Sequence, residues 1–310
     1  MQTVAVVLRE PEQLSLSPVE LLPAQDCDIV VDVEWSGIST GTERLFWSGR
    51  MPPFPGMGYP LVPGYESLGR VASAGPTSGH RVGERVFVPG SRGFKDVRGL
   101  FGGAASRLIV AGNRAVAVDE NLGEQGVLMA LAATAQHALA GGQLADLIVG
   151  HGVLGRLLAR LTVAAGGNPV VWETRADRAD DARGYQVIDP ATDTRKDYRA
   201  IYDVSGDSAL LDKLIMRLVP GGEITLAGFY SEPLSFAFPP AFMREAKIRV
   251  AAEWKDADLH AVKAAIQSGA LALDGLITHR QPADHASDAY RTAFEDPSCL
   301  KMVLDWRSRS

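Results

Sequence analysis

Cysteine is nearly missing from this sequence. Cys27 and Cys299 are the only two in 310 residues, and neither sits in CxxC or CxxH spacing. That excludes a disulfide framework and a cysteine-rich zinc site, and it suits a reducing compartment such as the cytoplasm. A basic excess is missing too. Lys+Arg 31 minus Asp+Glu 37 gives −6, so the electrostatic footprint of a nucleic-acid binder is absent. The first apolar run ends at Arg9 and has no basic residues ahead of it, so it reads as a strand and not a signal peptide. Gln125–Ala145 carries no Asp, Glu, Lys or Arg, but Thr134, Gln136, His137, Gly141, Gly142 and Gln143 interrupt it and alanine fills much of the rest. It reads as a buried helix and not as a membrane span. What remains is an ordinary globular composition, 46% hydrophobic and 22% charged, long enough for two domains.

The first 115 or so residues are β-rich. Short apolar runs (Thr3–Leu8, Ile29–Glu34, Ser67–Ala74, Glu84–Val88 and Ser106–Val110) alternate with Gly and Pro, as in a small barrel. The pattern changes near Asn121. A helix is expected over Gly126–Ala140. Strand and helix runs then alternate: Leu147–Val149, Gly155–Ala165, Val170–Glu173, Val187–Asp189, Ile201–Val204, Ala209–Leu218 and Glu223–Ala227. Such a βαβ series implies a parallel sheet with helices on its faces. Ile248–Trp254, a helix over Asp256–Ser268, and strand-like Leu276–Thr278 and Met302–Trp306 complete the chain. The domain boundaries expected are 1–120, 121–255 and a return over 256–310.

The sharpest motif is Gly150-His-Gly-Val-Leu-Gly155. A bare GxGxxG says little, but this one follows an apolar strand, opens a helix, and precedes a strand that ends in Glu173. Gly150 permits the tight turn, Gly152 lets a pyrophosphate approach the backbone, and Gly155 lets the helix pack close. Val153 and Leu154 supply N–H groups at the helix start, where the dipole favours phosphate. Glu173 can accept hydrogen bonds from ribose hydroxyls and would repel a 2′-phosphate, which favours NAD over NADP; Arg175 and Arg178 just beyond it weaken that preference. Ser205, Gly206 and Gly228 end later strands at the same sheet edge. They are either cofactor contacts or only connecting turns.

A β-rich domain ahead of this motif resembles the medium-chain dehydrogenase/reductase superfamily. Ser36-Gly-Ile-Ser-Thr-Gly-Thr-Glu43 resembles its first active-site loop, Val62-Pro-Gly-Tyr-Glu-Ser67 its G-H-E motif, and Ala132–Leu139 with Thr134 its helix beside the nicotinamide; Ile277–Arg280 and Lys301 resemble its C-terminal return. The resemblance implies an α/β protein: a GroES-like β-barrel domain, a doubly wound Rossmann sheet, a tail returning to the first domain, and an active site in the cleft between domains. It implies a dimer through Ile248–Trp254. The departures are specific. Zinc-dependent members carry cysteine where this chain has Ser39 and histidine where it has Tyr65, and the four-cysteine lobe is missing. No metal is expected, since Ser and Tyr are poor zinc ligands; against this stands a site improvised from Glu43, Glu66 and a histidine.

Residues 36–69, with the run Phe-Trp-Ser-Gly-Arg-Met-Pro-Pro-Phe-Pro-Gly-Met-Gly-Tyr-Pro-Leu, resemble more narrowly the hydroxyethyl bacteriochlorophyllide dehydrogenases of bacteriochlorophyll synthesis. This implies a bacteriochlorophyllide, a Mg-tetrapyrrole, as substrate and NAD as hydride acceptor. Phe46, Trp47, Phe54, Tyr59 and Tyr65 put five aromatics into positions 46–65, with Met51 and Met57 and five prolines. By composition the segment either lines a flat apolar cleft or packs on its own barrel; the resemblance favours the cleft, with Phe46, Trp47, Met51, Phe54 and Tyr59 on substrate. Arg92, Lys95, Arg98 and Arg107 read as solvated charge before they read as partners for the substrate's propionate. Without zinc a side chain must take the hydroxyl proton. Tyr65 leads, with Ser39, Thr40, Thr42 and Glu66 as relays, while His137 and His151 read as structural. A zinc-free quinone or enoyl reductase, and a non-catalytic NAD- or pigment-binding protein, remain as competing readings.

Overall fold

A computed structural model describes residues 1–309 and divides the chain into two compact units: 1–130 with 276–309, and 131–275. The strands of the first unit are β1 (Gln2–Glu10), β2 (Gln13–Glu20), β3 (Asp28–Ile38), β4 (Leu61–Val62), β5 (Ser67–Ala74), β6 (Arg85–Val88), β7 (Arg98–Gly99), β8 (Arg107–Ala111) and β9 (Val116–Ala117), with helix α1 (Thr42–Trp47). Helix α2 (Met129–Leu139) leads into the second unit, which holds β10 (Leu147–Val149), α3 (Val153–Ala164), β11 (Val170–Trp172), β12 (Gln186–Ile188), β13 (Tyr198–Asp203), α4 (Leu211–Ile215), β14 (Leu218–Leu226), α5 (Phe238–Met243), β15 (Lys247–Val250) and α6 (Asp256–Gln267). The chain returns to the first unit as β16 (His279–Pro282), α7 (Ala286–Glu295) and β17 (Met302–Asp305).

The first unit contains a four-stranded sheet, β2-β1-β4-β7, and a seven-stranded one, β16-β17-β3-β5-β6-β9, with β8 paired to β3. Alternation in β3 buries Ile29, Val31 and Val33 completely. The tail is integral to this unit: β17 pairs antiparallel with β3, Met302 opposite Ile38 and Asp305 opposite Trp35. On α7, Ala286, Ala289, Tyr290, Ala293 and Phe294 form one buried stripe, the spacing of an amphipathic helix.

The second unit is a six-stranded parallel sheet in the order β12-β11-β10-β13-β14-β15. This is the doubly wound order, with its switch point between β10 and β13. It is abbreviated: only a 3₁₀ turn, Ala176–Arg178, joins β11 to β12, and no helix lies between β12 and β13. No helix among the described residues is long and apolar enough to cross a membrane.

The expected boundaries shift at both ends of the second unit. Residues 120–130 stay with the first, where Arg85 donates to the Glu120 carbonyl at 2.7 Å and Gly126 lies too close to Leu68 to carry a Cβ. Helix α6 belongs with the second, where it buries Leu259 and Val262 and places Asp258 2.8 Å from His137. The return therefore starts at Leu276 and not at 256. The helix expected over Ala209–Leu218 shrinks to α4, because β14 begins at Leu218. The strand expected over Leu276–Thr278 falls three residues later, in β16.

Candidate active site

In the first unit β3 ends at Ile38, and the chain turns through Ser39, Thr40 and Gly41 into α1. Glu43 sits in the first turn of α1, and its Oε1 accepts the Ser39 N–H at 2.9 Å. From the other end of the sequence Tyr290 donates its hydroxyl to Glu43 Oε2 at 2.6 Å. Tyr65 donates to Ser39 Oγ at 2.7 Å and shares a hydrogen bond with Thr42. Tyr65, Ser39, Thr42 and, through the Ser39 backbone, Glu43 therefore form one network. Thr40 stands at its exposed edge.

Glu66, next to Tyr65 in the chain, is ion-paired with Lys301. Lys301 Nζ lies 2.7 and 2.9 Å from the two Glu66 oxygens and 3.2 Å from the Ile38 carbonyl, and neither side chain is more than 2% exposed. A Cβ on Gly37 would stand 2.1 Å from Glu66 Oε2, so glycine there makes room for the carboxyl. Glu66 was expected as a proton relay. Both of its oxygens are held by Lys301.

These surroundings set the proton affinities. Burial raises the Glu43 carboxyl to about 7, against the hydrogen bonds from Tyr290 and Ser39. Burial first and the Glu66 charge second push the Tyr65 phenol well above its ordinary value, so it stays protonated and donates. Glu66 is likewise raised by burial, opposed by Lys301.

The aromatic segment divides. Phe46 and Met51 lie in a small core with Leu8 and Leu61. That corrects the expectation that both line a cleft: they are 1% and 5% exposed. Trp47 packs on Phe294 with ring centroids 5.5 Å apart. Tyr59 is half-buried and donates to the Phe46 carbonyl at 2.5 Å. Phe54 is 36% exposed. Phe101, which sequence reasoning passed over, links the set. Its ring is 5.7 Å from Tyr65 and 6.5 Å from Phe46, and Phe46 is 6.2 Å from Phe54.

In the second unit the glycine turn follows β10 and opens α3. Gly152 is the N-cap, with no side-chain cap, so the first N–H groups of α3, from Val153 and Leu154 onward, are offered outward. A Cβ on Gly155 would strike the Gly150 carbonyl at 1.9 Å, whereas one on Gly152 would meet nothing within 4 Å. Gly150, at φ +104°, faces Ser205 across the switch point, and Gly228 lies against Gly206. Glu173, just past β11, accepts the His151 N–H at 3.3 Å and the Arg175 N–H at 2.9 Å, which fixes its carboxylate at the turn. Arg175 is paired with Asp177 at 2.5 Å. Thr134 is half-buried on α2. His151 is buried, bonded to the Arg178 carbonyl and the Tyr185 hydroxyl. Burial lowers it to about 4, so it stays neutral as a brace of the turn.

An open glycine cradle, an uncapped helix start and an oriented carboxylate fit a dinucleotide. The donors of the first unit do not fit zinc, since Ser39 and Tyr65 bond each other and Lys301 occupies Glu66. Among the described residues no group of three or more His, Cys, Asp or Glu could hold a metal ion.

The alcohol dehydrogenase GroES-like domain family matches residues 25–120. In fold the chain is similar to an Escherichia coli short chain alcohol dehydrogenase solved with NADH, with TM-score 0.84 and 22% identity over 98% of this chain and 99% of that one. It is also similar to a zinc-binding dehydrogenase of Sinorhizobium meliloti bound to NADP, with TM-score 0.82 and 19% identity over 98% and 99%. In sequence it is 60% identical, over 99% of both chains, to the 2-desacetyl-2-hydroxyethyl bacteriochlorophyllide A dehydrogenase of Cereibacter sphaeroides. The protein thus belongs to the family of the 2-desacetyl-2-hydroxyethyl bacteriochlorophyllide A dehydrogenases, within the medium-chain dehydrogenase/reductase superfamily.

Proposed function

We propose that the protein oxidises the ring A 3-(1-hydroxyethyl) group of a bacteriochlorophyllide to 3-acetyl, with NAD as acceptor and without a metal. The observation that carries the reading is the end-to-end 60% identity to a dehydrogenase of that name. The dinucleotide lies over Gly150–Gly155, with Ser205, Gly206, Gly228 and Thr134 at its border and Glu173 on the ribose. When bound, NAD supplies the hydride acceptor. The oriented Glu173 and the pairing of Arg175 with Asp177 favour NAD over NADP.

The chain's own part is the proton. The substrate hydroxyl gives its proton to the Tyr65 oxygen while Tyr65 passes its own to Ser39, and the relay through Ser39, Thr42 and the exposed Thr40 delivers one proton to solvent water. Tyr65 acts as a relay and not as a standing base, because its phenol is pushed up and keeps its proton. The macrocycle lies against Phe54, Tyr59 and Phe101, with Phe46, Met51 and Trp47 supporting them from beneath. The free edge of β15 is read as the seam of a homodimer.

The test mixes protein, NAD and the hydroxyethyl pigment. A conjugated acetyl should shift the long-wavelength absorption band to the red, with NADH formed in equal amount and no loss on adding chelators. Turnover only with NADP would overturn the cofactor. Activity only on quinones or enones would favour the reductase reading.

A further inference from the structure

We infer that Arg156 is a positioning residue for the cofactor's diphosphate: its buried guanidinium holds the glycine turn from behind, so that the Gly152 N–H and an excess of positive charge are presented to phosphate. The inference deepens the dinucleotide reading above and rests on it. Arg156 directly follows Gly155 on α3. An amphipathic helix buries apolar side chains on its inner face, yet α3 also buries Arg156 and Arg160, which are 6% and 5% exposed. A guanidinium keeps its charge inside a protein, and a buried charge is costly unless it is paired and hydrogen-bonded. Arg156 Nε donates to the His151 carbonyl at 3.2 Å and Nη2 to the Arg178 carbonyl at 3.0 Å. Its carboxylate is shared. Asp181 lies 3.5 Å from Arg156, 3.1 Å from Arg160 and 3.3 Å from Arg183, and Arg183 also reaches Asp274 at 3.6 Å. Three guanidinium groups thus share two carboxylates, and Arg156 is the farthest of the three from Asp181.

The bond to His151 aims the turn. Both backbone groups of His151 are held: its N–H donates to Glu173 at 3.3 Å, and its carbonyl accepts from Arg156. The peptide between His151 and Gly152 is trans, so the Gly152 N–H points opposite to that carbonyl, away from the guanidinium. Among the described residues this N–H has no hydrogen-bond partner, and a Cβ on Gly152 would meet nothing within 4 Å. A cation on the carbonyl polarises the peptide and strengthens its N–H as a donor. An anion on that N–H stands one peptide group from a buried positive charge that solvent ions screen poorly. It gains a charge-assisted hydrogen bond. Uncharged adenosine gains neither the bond nor the attraction.

The experiment measures binding by titration calorimetry, with NAD and ADP-ribose as phosphate-bearing probes and adenosine, read by displacement, as the uncharged one. Arg156→Met keeps the length and loses the charge and the donors. NAD and ADP-ribose should bind it about tenfold or more weakly, the worth of a charge-assisted hydrogen bond, while adenosine stays within about twofold of wild type. Arg156→Lys should restore part of the loss. Asp181→Asn removes the shared carboxylate, and asparagine tolerates the φ of +62° found there. This variant should bind ADP-ribose about twofold or more tightly than wild type, with adenosine unchanged and the gain shrinking as salt rises. Equal weakening of adenosine and ADP-ribose in Arg156→Met makes Arg156 a general brace and overturns the inference, as does unchanged ADP-ribose binding. Where Arg156→Met does not fold, Asp181→Asn decides: ADP-ribose affinity at or below that of wild type overturns the inference. If the ADP-ribose results hold but NAD yields no acetyl pigment, the oxidation reading fails and the role of Arg156 stands. A wild type that binds neither NAD nor ADP-ribose overturns the inference together with the dinucleotide reading.

Discussion

Tyr65 and Glu43 are joined through Ser39 by two hydrogen bonds, yet their chemistry differs. Tyr65 is the proposed proton relay, whereas burial raises the proton affinity of Glu43. Tyr65→Phe keeps the ring against Phe101 and removes only the hydroxyl, so the fold and NAD binding should persist. A lost relay should lower kcat about 10²-fold or more, with KM little changed; a fall below about tenfold would mean that Tyr65 only shapes the site. Glu43 makes a pH prediction. Its carboxyl titrates near 4.5 when unfolded and about 7 when folded. The folded state therefore favours the protonated acid. This stability is fully present below about pH 4.5 and is lost as pH rises through about 7. The groups facing it are Tyr290, the Ser39 N–H, Glu66 and Lys301. Glu43→Gln should remove that slope and leave the variant up to about 3 kcal/mol more stable than wild type at pH 8. Denaturant melts of both proteins at pH 5, 6, 7 and 8 check it, and parallel slopes would refute it. Little of this network was legible in sequence. Tyr65 and Ser39 drew notice because they replace zinc ligands. The Tyr290 partner of Glu43 lies 247 residues away, and only the packing of α7 brings the two together.

At the scale of elements, the turn between β10 and α3 separates two uses of glycine. Gly155 is required by the fold, whereas Gly152 is not and takes its use from the proposed dinucleotide. Gly155→Ala drives a Cβ into the Gly150 carbonyl and should cost about 1–3 kcal/mol of stability even without cofactor. Gly152→Ala meets no protein atom within 4 Å, so melting of the unliganded protein should stay within about 0.5 kcal/mol of wild type. It should still weaken NAD by about tenfold or more, because the methyl fills the approach of the pyrophosphate to the α3 N–H groups. Titration calorimetry on both variants separates the two effects; equal loss of stability would return Gly152 to a structural role. Glu173→Ala, just past β11 and bonded to this turn through the His151 N–H, should weaken NAD about tenfold while bringing NAD and NADP closer together. The turn was legible because spacing, strand and helix are all local. The aromatic segment was legible only as a segment. Composition cannot tell which of its rings turn inward, and Phe46 and Met51 did so because α1 and β4 close a small core over Leu8.

At the scale of the molecule, the sheet of the second unit ends in a strand that is not protected. Strand β15 is the last in the order β12-β11-β10-β13-β14-β15, so its outer N–H and C=O groups have no neighbouring strand. Natural edges are usually covered, bulged or guarded by charge. Here Lys247 begins the strand, but Val250 at its end is 73% exposed. Helix α5, just before it, exposes Phe238, Phe242 and Met243 by 67, 65 and 76%, with the two phenylalanine rings 5.6 Å apart. Isolated exposed apolar side chains need no explanation, but a cluster beside an open edge supports the proposed homodimer seam. The edge can pair with itself about a twofold axis, each β15 antiparallel to its copy, and the α5 side chains then meet in the same isologous contact. A stable contact of this kind buries about 1,200–2,000 Å² in total. Val250→Asp sets two like charges close to that axis, and Phe242→Glu does the same within the apolar cluster. Either should halve the mass measured by light scattering at micromolar concentration. NAD affinity should not change, because Gly150, Gly152, Gly155 and Glu173 all come from one chain. A wild type that sediments as a monomer would refute the pairing. A dimer that survives both substitutions would move the seam away from β15.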